Sequence, residues 1–313
     1  MPLSAISLVA VAAAVFMGIS IGSSTVASAF GPVNSSGSAN VLRAALLAGL
    51  FAFLGAVTQG GNVAQTIGSG LLTGPITTVQ AAAILLVGSS LVIVSVMTDF
   101  PMPTAFTVIG AVVGSSYSFN NQLVSTQLFK IIGFWVIIPL VSIAVGFGIS
   151  KLLRRYIPKD ESSDKKIRLL LIIAGSYVAY SAGASAVGLA VGPLTSLNVT
   201  TMELLLLGGF SILMGAWLYS PRIIKAISFD YSNVGPRRSV AALGTAALLA
   251  QIGIFFGIPI SFNEAVIASM IGSGMVEGGA NNVDKKKIGF TAGAWTFAFI
   301  LAAVLTYAIG LLI

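Results

Sequence analysis

The sequence predicts an all-α integral membrane protein made of two inverted-topology repeats, each of about five membrane segments, with broken helices and short half-helical or re-entrant segments. Three observations lead there. The first is composition. Of the 313 residues, 56% are apolar and 8% charged, against about 25% charged in a soluble domain. Arg43 is the single charge before Asp99, and no water-facing surface can be made from that. The apolar runs are long enough for helices that cross a bilayer, and helices satisfy their own backbone in lipid. The second is a duplicated motif. Residues 22–32 read GSSTVASAFGP and residues 183–193 read GASAVGLAVGP, alike at six of eleven positions. The third is charge topology, which makes the number of segments per repeat odd.

Ten segments are expected, at roughly 3–33, 41–59, 79–98, 102–118, 127–150, 169–197, 202–220, 239–257, 259–276 and 288–313. A straight span needs about 20 apolar residues. The first and sixth exceed that, and each holds one copy of the motif. Each is therefore expected to be a helix, a break and a second short helix. The fourth and ninth are short and open on proline (Pro101, Pro103 and Pro259), which marks them as half-helical or re-entrant. The N-terminal run lacks a basic leader region and further spans follow it, so it is expected to be the first span. The chain divides into repeat 1 (1–156), a basic connecting loop (157–168) and an inverted repeat 2 (169–313).

The net charge of +7 is a topological signal and does not point to nucleic acid. Seven basic residues fall in 151–168, four in 221–238, and three are Lys285, Lys286 and Lys287. The positive-inside rule puts these clusters, and with them loops 151–168, 221–238 and 277–287, in the cytoplasm. Counting crossings then places both termini outside and Arg43 inside, with Lys130 as the exception. Five crossings per half reverse the orientation of the second half, as in inverted-repeat transporters. The sequence has no cysteine and no histidine. Disulfides, thiolate metal sites, the usual proton shuttle and the usual metal ligand are all excluded. Neither a metal nor a cofactor is expected. Intramembrane enzyme chemistry would have to rest on serine and lysine, and no lysine lies deep in an apolar segment.

The duplication continues along the chain. Pro101 to Gly114 aligns with Pro259 to Gly272, and Gly49 and Gly55 pair with Gly209 and Gly215. With these residues in place, the chain resembles the PiT family of inorganic phosphate transporters, which also includes some sulfate permeases. That family carries Gly-Ala-Asn-Asp-Val-Ala-Asn-Ala-Phe/Ile-Gly in each half. The first copy here keeps Gly22, Val26, Ala27, Ala29, Phe30 and Gly31. The second keeps Gly183, Ala184, Val187, Ala190, Gly192 and Pro193. Residues 55–68 and the stretch Gly215 to Arg222 also resemble family segments. The family's Asn, Asp and Asn are replaced by Ser24, Thr25 and Ser28, and by Ser185, Ala186 and Leu189. The paired aspartates that resemble sodium and substrate ligands are thus absent.

The resemblance implies an ion-coupled, alternating-access permease of the plasma membrane for inorganic phosphate. A sulfate or other oxyanion permease coupled to protons is the alternative, and an anion channel is the alternative of another class. A homodimer is implied by resemblance alone. The candidate substrate-binding residues are Ser23, Ser24, Thr25, Ser28, Ser185, Thr104, Ser261 and Asn263. Their hydroxyl and amide groups, with exposed helix N-termini, can replace an anion's water shell without fixed charge. The coupling ion is H+ or Na+. Glu264, an acid inside an apolar stretch, is the candidate proton carrier, because intramembrane carboxylates are costly and usually functional. Arg222, at the end of a span, is a candidate lure for anions at the inner mouth. Gln59, Asn62 and Gln65 form a polar string whose role the sequence leaves open.

Overall fold

The computed structural model describes residues 5–26, 29–98, 103–157, 161–197, 199–219, 221, 224, 235–278 and 285–313. Repeat 1 contains α1 (Ala5–Ile21), which runs into a π-helical stretch (Gly22–Val26), then α2 (Gly31–Ser35), α3 (Val41–Gln59) and α4 (Gly61–Gln65). After a second π-helical stretch (Thr66–Gly70) come α5 (Thr78–Thr98), α6 (Thr104–Ser118) and α7 (Ser125–Tyr156). Repeat 2 contains α8 (Glu161–Val191), α9 (Thr201–Leu218), α10 (Pro236–Phe255), α11 (Phe262–Gly278) and α12 (Lys285–Leu312).

Eight helices among the described residues are long and apolar enough to cross a bilayer. Their starts are set by local chemistry. Asn40 Oδ1 accepts from Arg43 N at 2.9 Å and caps α3. Thr200 and Glu203 form a reciprocal capping box at α9. Thr200→Ala is expected to cost about 1 kcal/mol, read as a lower unfolding temperature in detergent with transport kinetics unchanged.

The remaining two segments are short. At about 1.5 Å per residue, the 15 residues of α6 and 17 of α11 reach about 22 and 25 Å, less than the ~30 Å hydrocarbon core. Each pairs with the helix before it as a hairpin. The open end of α5–α6 is tied by Leu72 bridging Leu123, and by Asn121 bonding both N and O of Gly74 at 3.0 and 3.2 Å. The α10–α11 hairpin turns at residues 256–261. Half-helical segments were expected at both places.

The repeats interlock through glycines, and the contacts obey the internal symmetry. A Cβ on Gly22 would meet the Ile212 carbonyl, and one on Gly183 the Ala52 carbonyl. Gly215 sits on the Ile19 carbonyl and Gly55 on that of Tyr180. Gly114 rests on Ala303 O and Gly272 on Ile143 O. Each pair maps onto the other when the halves are exchanged. Every one of these contacts joins one repeat to the other, so neither half packs its core alone. With no hydrophobic drive between helices in lipid, such close small-residue packing is what holds them.

Two expectations need correction. The second motif was expected to break its helix, but α8 runs from Glu161 through Val191 without interruption and ends in a 3-10 turn at Gly192–Leu194. The reason lies in the residues. The first copy has Ser23, Ser24 and Thr25, whose hydroxyls compete for backbone groups, and there the helix loosens into a π turn. The second copy has Ala184, Ser185 and Ala186 at the corresponding places; two of the three hydroxyls are gone, and the one that remains, Ser185 Oγ, is engaged by Ile260 N of another segment. Residues 161–168, expected within a connecting loop, form the first turns of α8. At this end Arg237 Nη2 lies 3.8 Å from Asp164 Oδ1, an ion pair that joins α10 to α8.

Candidate functional site

The two proline-led helices begin at the same place. Pro103, Thr104 and Ala105 at the start of α6, and Ile260, Ser261, Phe262 and Asn263 at the start of α11, line one small cavity. Thr25 from the π-helical break completes it on one side, and Ala186 and Leu189 of α8 on the other. The two helices belong to opposite repeats, so the pseudo-symmetry brings two helix N-termini to one point. A helix N-terminus carries unpaired amide donors and a partial positive charge. Two of them aimed at one cavity make a place for an anion.

The hydroxyls are arranged around it. Thr25 Oγ1 lies 3.2 Å from Thr104 Oγ1, joining the broken helix to the first turn of α6. Ser261 is buried at 6% exposure, and its carbonyl accepts the Ala265 N–H that starts α11. Space inside for a water centre is about 10 Å³, room for a single water and too little for a tetrahedral oxyanion.

The candidates therefore separate. Thr25, Thr104, Ser261 and Asn263 come together. Ser23 and Ser24 do not join them, since both hydroxyls donate to Ser20 O at 2.8 Å within their own helix. Ser185 lies beside the site and not in its lining; its Oγ accepts from Ile260 N at 3.0 Å and so fixes the hairpin turn. Ser28 and Arg222 fall outside the described residues.

Glu264 follows Asn263 on the first turn of α11 and is 2% exposed. Its Oε1 is buried without a hydrogen-bond partner among the described residues. The described lining itself holds no acidic side chain, and the described residues contain no acidic or histidine cluster suited to a metal ion. What the chemistry offers is hydroxyl, carboxamide and backbone donors, with one buried acid adjoining them.

Trp135 was not anticipated from the sequence. Its indole stacks on Phe106 at 3.8 Å between ring centroids, and its Nε1 donates to Pro259 O at 2.9 Å. One side chain of α7 thus holds the starts of both α6 and α11. The available signal was an indole in an apolar span, whose buried N–H needs an acceptor.

Comparison with known proteins decides the family. The model of the phosphate transporter family matches twice, over residues 21–167 and 158–306. The chain belongs to the phosphate transporter family. The double match coincides with the two repeats of this transporter. It is 29% identical over 305 residues to the sulfate permease CysP of Bacillus subtilis (strain 168), covering 96% of this chain and 86% of the relative. Among solved structures it is similar to one described as the sodium-dependent phosphate transporter, with a TM-score of 0.89 at 18% identity over 99% of each chain. That likeness establishes a shared fold. Family and relatives are transporters.

Proposed function

We propose that this transporter is a secondary permease for inorganic phosphate, working by alternating access in the plasma membrane, with its basic end in the cytoplasm and both termini outside. One observation carries the reading: the N-termini of α6 and α11, from opposite repeats, meet at one hydroxyl-lined cavity. Thr25, Thr104, Ser261 and Asn263 contact the anion. Parting of the two hairpins exposes the cavity to each side in turn, as repeats rock against each other. Glu264 carries the coupling proton, since it is the buried acid beside the site and its Oε1 lacks a fixed partner among the described residues. A sodium-coupled cycle is the competing form. Nothing in the donor set serves covalent chemistry on a substrate, which supports transport over catalysis.

Sulfate is a second reading, favoured by a specific observation. Phosphate near neutral pH keeps at least one P–OH, which must find an acceptor. Sulfate is an acceptor only. The described lining is rich in donors and has no carboxylate, and the family's aspartates are missing from this sequence. A sulfate permease is also a relative along nearly the whole chain.

Counterflow in proteoliposomes tests both. Preloaded unlabelled anion is expected to drive transient uphill entry of labelled phosphate or sulfate, enhanced by an inward proton gradient and indifferent to sodium. Downhill conductive flux without counterflow would mean a channel. A sodium requirement would move the coupling away from Glu264.

A further inference from the structure

A second void adjoins the first across one turn of chain. It is an open recess of about 620 Å³ between the ends of α3 and α10, reached by Thr58, Gln59, Asn62, Gln251, Phe255 and Phe256. Phe256 faces this recess, while Ile260 faces the small cavity. The α10–α11 turn thus runs from the lining of one void to the lining of the other. The recess lies at the end of the bundle away from Arg154, Arg155 and Arg237, near the start of α7, where Lys130 Nζ sits 5.3 Å from the Phe256 ring centroid.

The lining is chemically specific. Gln59 and Asn62 are exposed in it. Carboxamides inside a membrane must meet water or protein, which suits a wet mouth better than a lipid-facing groove. Asn62 Nδ2 donates to Phe255 O at 3.4 Å and Gln251 Nε2 to Ser181 Oγ at 2.8 Å. No acidic side chain lines the recess among the described residues, and the cation on Phe256 stands at its rim. This combination suits an anion held weakly by neutral donors.

The turn is braced at definite points. Ile258 N bonds Gly253 O at 2.8 Å and Gly257 N bonds Ile254 O at 3.0 Å, a glycine-terminated helix end with Gly257 at φ +68°. Beyond it, Trp135 Nε1 donates to Pro259 O and Ile260 N donates to Ser185 Oγ. Asn62 and Thr66 press against Gly257, where a Cβ would meet Thr66 Oγ1 at 2.6 Å and Asn62 O at 2.9 Å.

We infer that the recess floored by Gln59, Asn62 and Gln251 is a first-encounter site for the tetrahedral oxyanion, and that the 256–261 turn is the barrier it passes to reach the cavity. The inference rests on the permease reading. Gln59 and Asn62, on either side of Gly60 and Gly61, then have a task, and so does Lys130, the basic residue that breaks the charge rule.

The absence of cysteine makes the test direct. Asn62→Cys and Lys165→Cys are each made alone and treated with a membrane-impermeant thiol reagent, in intact cells and in inverted vesicles. Asn62→Cys is expected to label from one face only, opposite to that of Lys165→Cys. Saturating phosphate or sulfate is expected to slow the labelling several-fold, and labelling is expected to block transport. Lys130→Gln is expected to raise KM several-fold with kcat unchanged, an effect that shrinks at high salt. Labelling from the same face as Lys165→Cys, or labelling indifferent to both anions with transport intact, would overturn the inference and leave the permease reading standing. Failure of the unsubstituted chain to exchange either anion would overturn the permease reading itself.

Discussion

Glu264→Gln is expected to abolish proton-driven accumulation of the labelled oxyanion while counterflow exchange survives. The substitution keeps the shape and length of the side chain and removes the titrating group. A carboxyl at 2% exposure with an unpartnered Oε1 is a burden on the fold. Acids inside membrane segments are costly and are kept for function. The variant should therefore unfold at the same temperature as the parent or higher. Loss of function with a gain in stability is the mark of a residue kept for function. If Glu264 only complemented the helix dipole at the start of α11, the outcome would be reversed: lower stability, with accumulation and its pH dependence unchanged.

Gly183→Leu is expected to destroy the assembled fold. A Cβ at Gly183 runs into the carbonyl of Ala52, which is backbone, so no flexible side chain can swing aside. Overpacking of a core typically costs about 1–3 kcal/mol, occasionally more, and here it would wedge α8 from α3 across the repeat boundary. Yield of monodisperse protein in detergent should fall sharply. Gly133→Ala in α7 is the contrasting case, with nothing within 4 Å of the added carbon. Helix propensity alone then favours the change by up to about 1 kcal/mol. Equal sensitivity at both sites would contradict the interlock.

The fold was legible because lipid simplifies the code. Apolar run length sets a span, and α3 occupies 41–59 as its run does. Glycines and prolines mark where spans pack closely or stop short, as at Gly55 and Pro103. The repeated order of these marks carried the duplication, and the basic clusters carried its inversion. The site was only half legible. Thr104, Ser261 and Asn263 could be found because a proline fixes the helix start just before them. Ser23 and Ser24 could not be excluded, since a serine that bonds its own helix and one that faces a cavity look alike in sequence. The unbroken α8 shows the same limit: conserving Gly183 and Gly192 of a motif preserves its packing, while the hydroxyls decide whether the helix opens. Trp135 was missed because its partners, Phe106 and Pro259, come from two distant segments.

The account depends on the oxyanion being held where α6, α11 and the break after α1 converge. Thr25→Val with Thr104→Val removes two hydroxyls there at nearly constant volume, and Ser24→Ala removes one that bonds its own helix. The deciding measurement is labelled-anion counterflow for the two variants side by side. Exchange is expected to fall about tenfold or more in the double variant, the loss of roughly 1.4 kcal/mol or more of binding, and to stay near the parent rate in Ser24→Ala. Full exchange through the double variant, with loss in Ser24→Ala, would place the cargo elsewhere and contradict the account.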